Sequence, residues 1–340
     1  MAENIIRVAC LGYVFDAVSQ KIMRQMAPPE FELMFAEKPD ATTPALVAEA
    51  DLLTCVSHVT DSMMANAPKL RLIQKWGIGV DKIDLAAAER HGIYVTITAG
   101  ANATVVAEHA IMLMLAALRN LAVADRQMRA GGWSAAALRP RSRQLRTKTV
   151  GILGLGNIGR AVARRLQGFD VRILYNDIKG EFEIAKELHA EFVSFKDLLE
   201  QSDVLTVHIP ANEANHHFIN AEALARMKPE AVFINTARGE VVDEAALTEA
   251  LRSGGLLAAG CDAFDGEPLR ADSPLRQMDN VMLTPHCAGA VLDHVAPMVE
   301  HVLRNLQLFL HNEPLADADW IVVPANPRPG YTAVRTLPAT

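Results

Sequence analysis

The chain has 340 residues, half of them hydrophobic and 21% charged, which is enough apolar material for about two globular domains. The formal net charge is −7, so the chain lacks the excess of positive charge that is typical of proteins that bind nucleic acids or anionic membranes. Four cysteines without CxxC spacing favour a reducing compartment, and no signal peptide is evident. The longest apolar run, residues 110–118, is far shorter than the ~20 residues of a membrane helix, so we expect a cytoplasmic protein.

The first hundred residues alternate short apolar segments with helical patterns. This alternation is typical of a parallel β-sheet that is covered by helices on both faces. We therefore predict one small α/β unit, with helices over about 15–26 and 81–91 and strands over 5–11, 31–36, 52–56, 70–75 and 93–96. A long apolar helix over 105–118 then leads into a polar stretch that contains Arg139, Arg141, Arg143 and Arg146.

A glycine-rich turn follows the strand predicted over 149–153. Gly154, Gly156 and Gly159 stand in the run GLGNIG, and a helical pattern begins directly after it. The first glycine permits a tight turn, the second lets the backbone approach a pyrophosphate, and the third allows close helix–strand packing. Because the N–H groups of a helix N-terminus bind phosphate, the pattern predicts a dinucleotide site. The alternative is a glycine turn that serves only to pack a helix on a strand.

Asp177 follows the next predicted strand (170–175) and stands 18 residues after Gly159. An acidic side chain at about this distance accepts a hydrogen bond from the ribose 2′-hydroxyl of NAD. Its charge would repel the 2′-phosphate of NADP. We therefore predict NAD as the cofactor and expect NADP to bind less well.

A second α/β series follows the glycine turn, and a C-terminal helical pattern is predicted to return to the first unit. Strands are predicted over 204–209, 231–235, 258–262 and 281–283, and the helix over 296–311. Residues 316–340 are rich in proline and are expected to form an irregular tail. The predicted fold is α/β with two Rossmann-like, doubly wound parallel-sheet domains: a discontinuous, flavodoxin-like substrate-binding domain (1–100 plus 291–340) and an NAD-binding Rossmann domain (101–290).

Polar side chains cluster where the later strands end. Ligands of open α/β sheets bind outside the carboxyl ends of the strands, so these residues are expected to share one site. His286 is the candidate proton donor for hydride transfer to a carbonyl, since histidine exchanges a proton near neutral pH. Glu267 is the candidate carboxylate that orients the other ring nitrogen. Arg238 offers a planar guanidinium that binds a carboxylate or polarises a carbonyl oxygen.

The turn Trp76-Gly77-Ile78-Gly79 follows a predicted strand of the first unit. Two glycines there would expose backbone N–H groups, so the turn is predicted to bind a substrate carboxylate. A plain strand–helix turn is the alternative, and Trp76 is either a pocket wall or a packed aromatic.

The histidines and cysteines show no metal-ligand spacing, with neither HxxxH nor CxxC, so no metal site is predicted. His109 lies in an apolar helix, which favours a packed or interfacial position. His216 and His217 flank a polar loop and are expected to be solvated.

Seven motifs occur in order along nearly the whole chain. The first four are Gly77-x-Gly79-x-Asp81-x-Ile83-Asp84, Val106-Ala-Glu-His109, GLGNIG (154–159) and Ser202-Asp-Val-Leu-Thr-Val-His-Ile-Pro210. The last three are Asn235-Thr-Ala-Arg-Gly239, Asp262-x-Phe264-x-x-Glu267-Pro268 and Thr284-Pro-His-x-Ala-Gly289. With these motifs the chain resembles the D-isomer-specific 2-hydroxyacid dehydrogenase family.

The resemblance implies an NAD(H)-dependent dehydrogenase that interconverts a small 2-oxo acid and its D-2-hydroxy acid in a cleft between the domains. Arg238, Glu267 and His286 match the family's catalytic triad, with His286 as the acid/base. The family's nicotinamide-carboxamide acid falls on Asp262 and its ribose acid on Asp177. Further implied cofactor contacts are Asn157, Ile158, His208, Ile209, Pro210, Thr236, Ala237 and Ala288.

The resemblance also implies a homodimer that forms through the NAD-binding domains. A small 2-oxo or 2-hydroxy acid is the expected partner, with neither nucleic acid nor membrane. The four arginines before the second domain are either solvated or in contact with the dimer partner. In a sharper hypothesis, one of them reaches the partner's cleft and attracts an anionic substrate.

The substrate is less defined than the reaction. Phosphoglycerate dehydrogenases hold the substrate phosphate with basic residues, and Lys75 occupies one such place. However, the strand over 52–55 ends without an arginine, Trp76 adds bulk, and too few residues remain for a regulatory domain of the serine-pathway type. These departures disfavour phosphoglycerate. The alternative from another class is an NAD-sensing binding protein, like the corepressors related to this family, with little or no turnover.

Overall fold

A computed structural model describes residues 5–38 and 43–329. The chain forms two compact units: Met1–Asn102 with Val291–Thr340, and Ala103–Ala290. Each unit is built around one β-sheet.

The described elements alternate between strands and helices along most of the chain. The strands are β1 (Ile6–Leu11), β2 (Phe31–Ala36), β3 (Leu52–Cys55), β4 (Leu72–Lys75), β5 (Tyr94–Thr96), β6 (Thr149–Leu153), β7 (Arg172–Asn176), β8 (Ala190–Phe192), β9 (Val204–Val207), β10 (Val232–Asn235), β11 (Ala258–Cys261), β12 (Val281–Leu283) and β13 (Trp320–Val322). The α-helices are α1 (Ala17–Met26), α2 (Thr43–Ala48), α3 (Asp61–Ala65), α4 (Leu85–Arg90), α5 (Ala103–Leu118), α6 (Leu121–Arg129), α7 (Ala135–Leu138), α8 (Asn157–Leu166), α9 (Ile184–Glu187), α10 (Phe195–Gln201), α11 (Ala221–Arg226), α12 (Glu244–Arg252) and α13 (Val295–Leu310). Short 3-10 helices lie at Arg139–Arg141, Gln167–Phe169, Glu213–Asn215, Gly239–Val241, Pro274–Gln277, Leu292–His294 and Asp317–Asp319.

The sheet of the first unit has the strand order β13-β5-β4-β3-β1-β2 and is parallel except for β13. A hydrophobic core lies on each face of this sheet. Successive residues of a strand pack into opposite cores, because strand side chains alternate between the two faces. Val8 and Cys10 pack with residues of α13, whereas Ala9 and Leu11 pack with residues of α2, α3 and α4. Both faces are therefore covered, as the alternating pattern predicts.

The sheet of the second unit is wholly parallel, with the order β12-β11-β10-β9-β6-β7-β8. Val232 and Ile234 of β10 pack with residues of α5 and α8 on one face. Phe233 packs with residues of α11 and α12 on the other. The predicted class, α/β with two doubly wound parallel sheets, is confirmed.

Several boundaries differ from the sequence-based predictions. α4 begins at Leu85 rather than at residue 81, because the Asp84 side chain caps the helix by accepting from the N–H of Ala87 at 2.8 Å. α6 and α7 lie in the arginine-bearing stretch, for which no helix was predicted.

The prediction of an irregular tail over 316–340 is wrong in part. β13 adds an antiparallel edge strand to β5, with Trp320 opposite Thr96. The Trp320 ring packs against Tyr94, with ring centroids 5.7 Å apart. A three-residue edge strand is too short to show periodicity, so only its pairing partner reveals it. Residues 330–340 lie outside the described residues.

In the part of the chain that the structure describes, no single helix is long and apolar enough to cross a membrane. By length and composition, α5 and α6 together meet that test, but they are bent by 67° relative to each other.

Candidate active site

Six neighbouring strands of the second sheet end at the same level. The Cα register pairs their last residues across the sheet, and we call this set the strand-end row: Asn176, Leu153, Val207, Asn235, Cys261 and Leu283. The residue after each of these leaves the sheet at one edge: Asp177, Gly154, His208, Thr236, Asp262 and Thr284. Five of these six were predicted as site residues from sequence, and Thr284 was not.

The glycine turn has the geometry expected of a phosphate cradle. Gly154 has φ +93°, and a side chain there would lie 2.8 Å from the carbonyl oxygen of His208. Gly156 caps α8, and apart from its own chain neighbours no atom of the described residues lies within 4 Å of the place where its Cβ would be. A Cβ on Gly159 would lie 2.1 Å from the carbonyl oxygen of Gly154, so α8 packs closely on β6. Gly156 therefore presents open backbone at the N-terminus of a ten-residue helix.

Asp177 lies beside this turn. Its Oδ2 accepts from the N–H of Leu155 at 2.8 Å, and its Oδ1 accepts from the N–H of Lys179 at 2.9 Å. A carboxylate oxygen has two lone pairs, so each oxygen keeps acceptor capacity for a further donor such as a ribose hydroxyl.

Two buried polar atoms at this edge have no hydrogen-bond partner among the residues that the structure describes: Nδ1 of His208 and Oγ1 of Thr236. Burial lowers the pKa of His208 to about 3, so its ring is neutral, and its Nε2 lies 3.0 Å from Thr206 Oγ1. Unpaired buried polar atoms are costly unless a ligand satisfies them. Together with the open Gly156 backbone, they show that this edge fits a dinucleotide.

Glu267 and His286 form the pair that was predicted from sequence. The Nδ1 of His286 lies 2.7 and 2.8 Å from the two carboxylate oxygens of Glu267. An ionised carboxylate only accepts hydrogen bonds, so Nδ1 carries a hydrogen and Nε2 is the nitrogen left to exchange a proton. The His286 side chain is 40% exposed, which leaves it accessible to a substrate.

Arg238 lies on the loop after β10, and hydrogen bonds within that loop position its side chain and its backbone. Its Nη1 donates to the carbonyl oxygen of Ala237 at 2.7 Å, and its own carbonyl accepts from Asn235 Nδ2 at 2.9 Å. The next residue, Gly239, touches the loop that carries Glu267, since a Cβ there would lie 1.7 Å from the carbonyl carbon of Phe264. Only glycine allows these two loops to approach so closely.

The Glu267 loop is also braced by a histidine that was expected to be solvated. His217 stacks on His216 with ring centroids 4.0 Å apart, and its Nε2 lies 3.2 Å from Asp265 Oδ2. The N–H of Asp265 donates to Glu244 Oε1 at 2.7 Å. His217 remains 38% exposed, so it is partly solvated as expected and in addition contacts the loop that carries Glu267.

Asp262 is the most enclosed acidic group of the site, with 1% exposure. Its carboxylate accepts from Thr284 Oγ1 at 2.6 Å and from the N–H groups of Cys287 and Ala288 at 2.9 Å each. Burial by itself raises the pKa of Asp262, but the neighbouring His109 ring and the hydrogen bonds from Thr284 and the two N–H groups outweigh it and lower this pKa to about 2. Asp262 is therefore a buried, fully ionised carboxylate.

Sequence reasoning assigned no polar role to His109 or Thr284. His109 Nε2 lies 2.9 Å from Thr284 Oγ1 and 3.5 Å from Asp262 Oδ1. The signal that could have identified His109 is a histidine among apolar residues on α5, which needs a polar partner when buried. The prediction of a packed position for His109 was correct, but it did not include the polar contacts with Thr284 and Asp262.

His109, Asp262 and Cys287 also meet a distance criterion for metal ligands, with one donor atom from each within 4.8 Å of the others. Burial and the charge of Asp262 raise the pKa of the Cys287 thiol, so the thiolate that a metal needs is disfavoured. The Asp262 carboxylate already accepts three hydrogen bonds. The absence of a metal site stays a prediction.

In the first unit, the turn Trp76–Gly79 after β4 was predicted to bind a substrate carboxylate through its backbone N–H groups, and the structure differs from this prediction in one respect. The N–H groups of Trp76 and Gly77 are already used, by the carbonyl oxygen of Cys55 at 3.0 Å and by Thr98 Oγ1 at 2.9 Å. Within this four-residue turn, the N–H groups of Ile78 and Gly79 are the two without a hydrogen-bond partner among the described residues. Trp76 packs edge-on against Phe15, with centroids 5.2 Å apart, which supports the packed alternative.

Two of the four arginines before β6 form ion pairs within the unit. Arg143 pairs with Glu230 at 2.8 Å and Arg146 with Asp170 at 3.1 Å. These contacts favour the solvated interpretation of the cluster over a reach into a partner subunit.

Comparison with known proteins identifies the family. Residues 111–288 match the model of the D-isomer specific 2-hydroxyacid dehydrogenase NAD binding domain. A glyoxylate reductase of Korarchaeum cryptofilum (strain OPF8) is 40% identical over 84% of this chain and 87% of its own length. A D-3-phosphoglycerate dehydrogenase of Mycobacterium leprae (strain TN) is 37% identical over 90% of this chain but 58% of its own length.

A solved structure shares both fold and cofactor class. NAD-dependent formate dehydrogenase from Staphylococcus aureus, in complex with NAD, superposes with a TM-score of 0.83 at 30% identity and covers 94% of this chain and 100% of its own. The chain belongs to the D-isomer-specific 2-hydroxyacid dehydrogenase family of NAD-dependent oxidoreductases, which interconvert 2-oxo acids and 2-hydroxy acids.

Proposed function

We propose that this chain reduces glyoxylate, or a 2-oxo acid of similar size, to the corresponding 2-hydroxy acid with NADH, and that Arg238, Glu267 and His286 are its catalytic residues. The observation that carries this proposal is the bidentate His286–Glu267 pair at the sheet edge that also bears the glycine turn. Similarity to glyoxylate reductases over most of both chains supports glyoxylate as the first substrate to test.

In the proposed mechanism, His286 moves the proton. Reduction adds a hydride to the carbonyl carbon of the substrate and a proton to its oxygen. The reduced nicotinamide supplies the hydride when it is bound. His286 Nε2 donates the proton to the developing alkoxide, and Glu267 stabilises the ring through Nδ1. The guanidinium of Arg238 binds the substrate and polarises its carbonyl.

The same proposal assigns the remaining contacts. Asp262 would accept a hydrogen bond from the nicotinamide carboxamide, Asp177 would bind the adenosine ribose, and the N–H groups of Ile78 and Gly79 would hold the substrate carboxylate. The remaining predicted cofactor contacts lie on the glycine turn and after the strand-end row: Asn157, Ile158, His208, Ile209, Pro210, Thr236, Ala237 and Ala288. We likewise propose substrate binding for the first unit and NAD binding for the second.

We also propose a homodimer formed through the second unit. The segment from α5 to α7 exposes four large apolar side chains. The surface of a monomeric protein seldom exposes so many large apolar side chains within so short a segment. These are Met112 at 46%, Leu121 at 56%, Met128 at 52% and Trp133 at 87%.

All four cysteines carry free thiols, which supports the cytoplasmic location proposed from the sequence.

A substrate panel tests the reaction. NADH absorbance is followed with glyoxylate, hydroxypyruvate, pyruvate and 3-phosphohydroxypyruvate, and the largest kcat/KM is expected with glyoxylate. NADH binding without turnover on the whole panel would refute the enzyme and favour an NAD-sensing binding protein.

His286→Ala should lower kcat by about 10²–10⁴-fold, because the general acid is lost. The Kd for NADH should change by less than about twofold, since the proposed role is proton transfer alone. His91 is the matched control: its Nε2 pairs with Asp61 at 2.8 Å on the first unit, so His91→Ala should keep wild-type kcat. Near-normal turnover of folded His286→Ala would exclude it as the acid.

Asp177→Asn should lower the preference for NADH over NADPH by at least about tenfold, since it removes the charge that repels a 2′-phosphate. The amide oxygen can still accept from the N–H of Leu155. The measurement is the ratio of kcat/KM for the two cofactors. Asp203→Asn is the control, because Asp203 likewise accepts from a backbone N–H, that of Thr149 at 2.8 Å. An unchanged ratio in Asp177→Asn would contradict the assignment.

Sedimentation velocity at micromolar concentration tests the dimer. We expect a species of about twice the 37.0 kDa chain mass. Met128→Glu combined with Trp133→Glu should dissociate it, because charges would replace buried apolar contacts. Ile5→Glu, at an apolar residue of the first unit that is 51% exposed, should leave the dimer intact. A monomeric wild type would rule the proposal out.

A further inference from the structure

We propose that His109 is a positioning residue, which acts through Thr284 to hold the Asp262 carboxylate in the orientation that binds the nicotinamide carboxamide. This inference rests on the proposed function, in which Asp262 receives that carboxamide. His109 touches neither the substrate nor the cofactor in this proposal.

The direction of the hydrogen bonds follows from the number of hydrogens available. Thr284 Oγ1 donates to Asp262 Oδ1 at 2.6 Å, since an ionised carboxylate can only accept. A hydroxyl has a single hydrogen, so Thr284 must accept at its other contact, from His109 Nε2 at 2.9 Å. The relay therefore runs from His109 Nε2–H to Thr284 Oγ1–H to Asp262.

The relay also determines which part of Asp262 stays available. Oδ1 accepts from Thr284 and from the N–H of Cys287, whereas Oδ2 accepts only from the N–H of Ala288 among the hydrogen bonds of the described residues. The nearby Cys287 thiol is a weak donor that an amide N–H outcompetes. With about two acceptor positions per oxygen, one strong position remains on Oδ2, and a carboxamide N–H fits it.

A close approach of helix to strand brings His109 to this carboxylate. A Cβ on Gly260 of β11 would lie 2.9 Å from Cβ of Leu113 on α5, so a side chain at Gly260 would push the helix away. His109 is one turn before Leu113 on the same helix face, and Asp262 is two residues after Gly260 on the same side of the strand. His109 therefore reaches Asp262 at 3.5 Å with only 12% of its side chain exposed.

Loss of the relay should affect one half of the cofactor. Without the His109 donor, the Thr284 oxygen is no longer fixed and polarised by a hydrogen bond, so the charge-assisted hydrogen bond by which Thr284 orients the Asp262 carboxylate weakens. The adenine half binds at the glycine turn and Asp177, to which the relay residues make no contact among the described hydrogen bonds. Binding of NADH should therefore weaken, whereas binding of ADP-ribose, which lacks the nicotinamide, should not.

The test compares the Kd values for NADH and ADP-ribose in matched variants. His109→Leu and Thr284→Val remove the donor and the hydroxyl, and we expect each to raise the Kd for NADH about tenfold while the Kd for ADP-ribose stays within about twofold. His109→Gln and Thr284→Ser restore an N–H and a hydroxyl and should recover most of the affinity for NADH. Glu108→Gln is the control on the same turn of α5, where Glu108 pairs with Arg165 at 3.2 Å on the surface.

A second measurement determines from which face of the nicotinamide ring the hydride is transferred. With NADH deuterated at one C4 position, the wild type should transfer hydride from a single face, and His109→Leu and Thr284→Val should transfer a measurable fraction from the other. An unchanged Kd for NADH in both apolar variants would overturn the relay. Equal losses for NADH and ADP-ribose would also overturn it, in favour of a merely structural role. A wild type that fails to oxidise NADH with any 2-oxo acid would instead count against the proposed function.

Discussion

The candidate site depends on the register of six parallel strands. Because the last residues of these strands pair across the sheet, the chain leaves the sheet at one level in six neighbouring places. A slip of one residue in any strand would turn its side chains to the other face and shift its loop away from the others. Buried apolar residues on both faces prevent such a slip. The core of the second unit thus sets the geometry of the site.

Charge burial is the second constraint on this edge. Asp262 is almost fully enclosed and ionised, which is tolerated because three donors surround it within the protein. His208 is enclosed and neutral, because burial lowers its pKa to about 3. The edge therefore holds one enclosed negative charge, that of Asp262, and one enclosed neutral ring, that of His208, whereas the Glu267–His286 pair stays partly exposed. This difference separates residues suited to holding a cofactor from residues suited to exchanging protons.

Sequence reasoning was most successful where a residue type and a strand end coincide. The sequence predicts the Glu267–His286 pair, because a carboxylate and a histidine on loops of one sheet edge are brought together by the fold. It failed where contacts join distant segments. His109 and Thr284 are 175 residues apart in the chain, and their hydrogen bond has no local signature. β13 was missed for the same reason, since an edge strand of three residues is defined by its partner β5.

The sequence by itself determined the fold class, the glycine turn and the identity of the residues at the strand ends. These features follow from local patterns: apolar periodicity, glycine spacing and motif order. Only the tertiary structure decided which of those groups are used and which remain available. The N–H of Gly77 is taken by Thr98, and Gly239 and Gly260 are required by backbone and helix packing from elsewhere in their unit. Hydrogen-bond direction and close packing depend on atoms that are distant in the chain, so no local pattern can encode them.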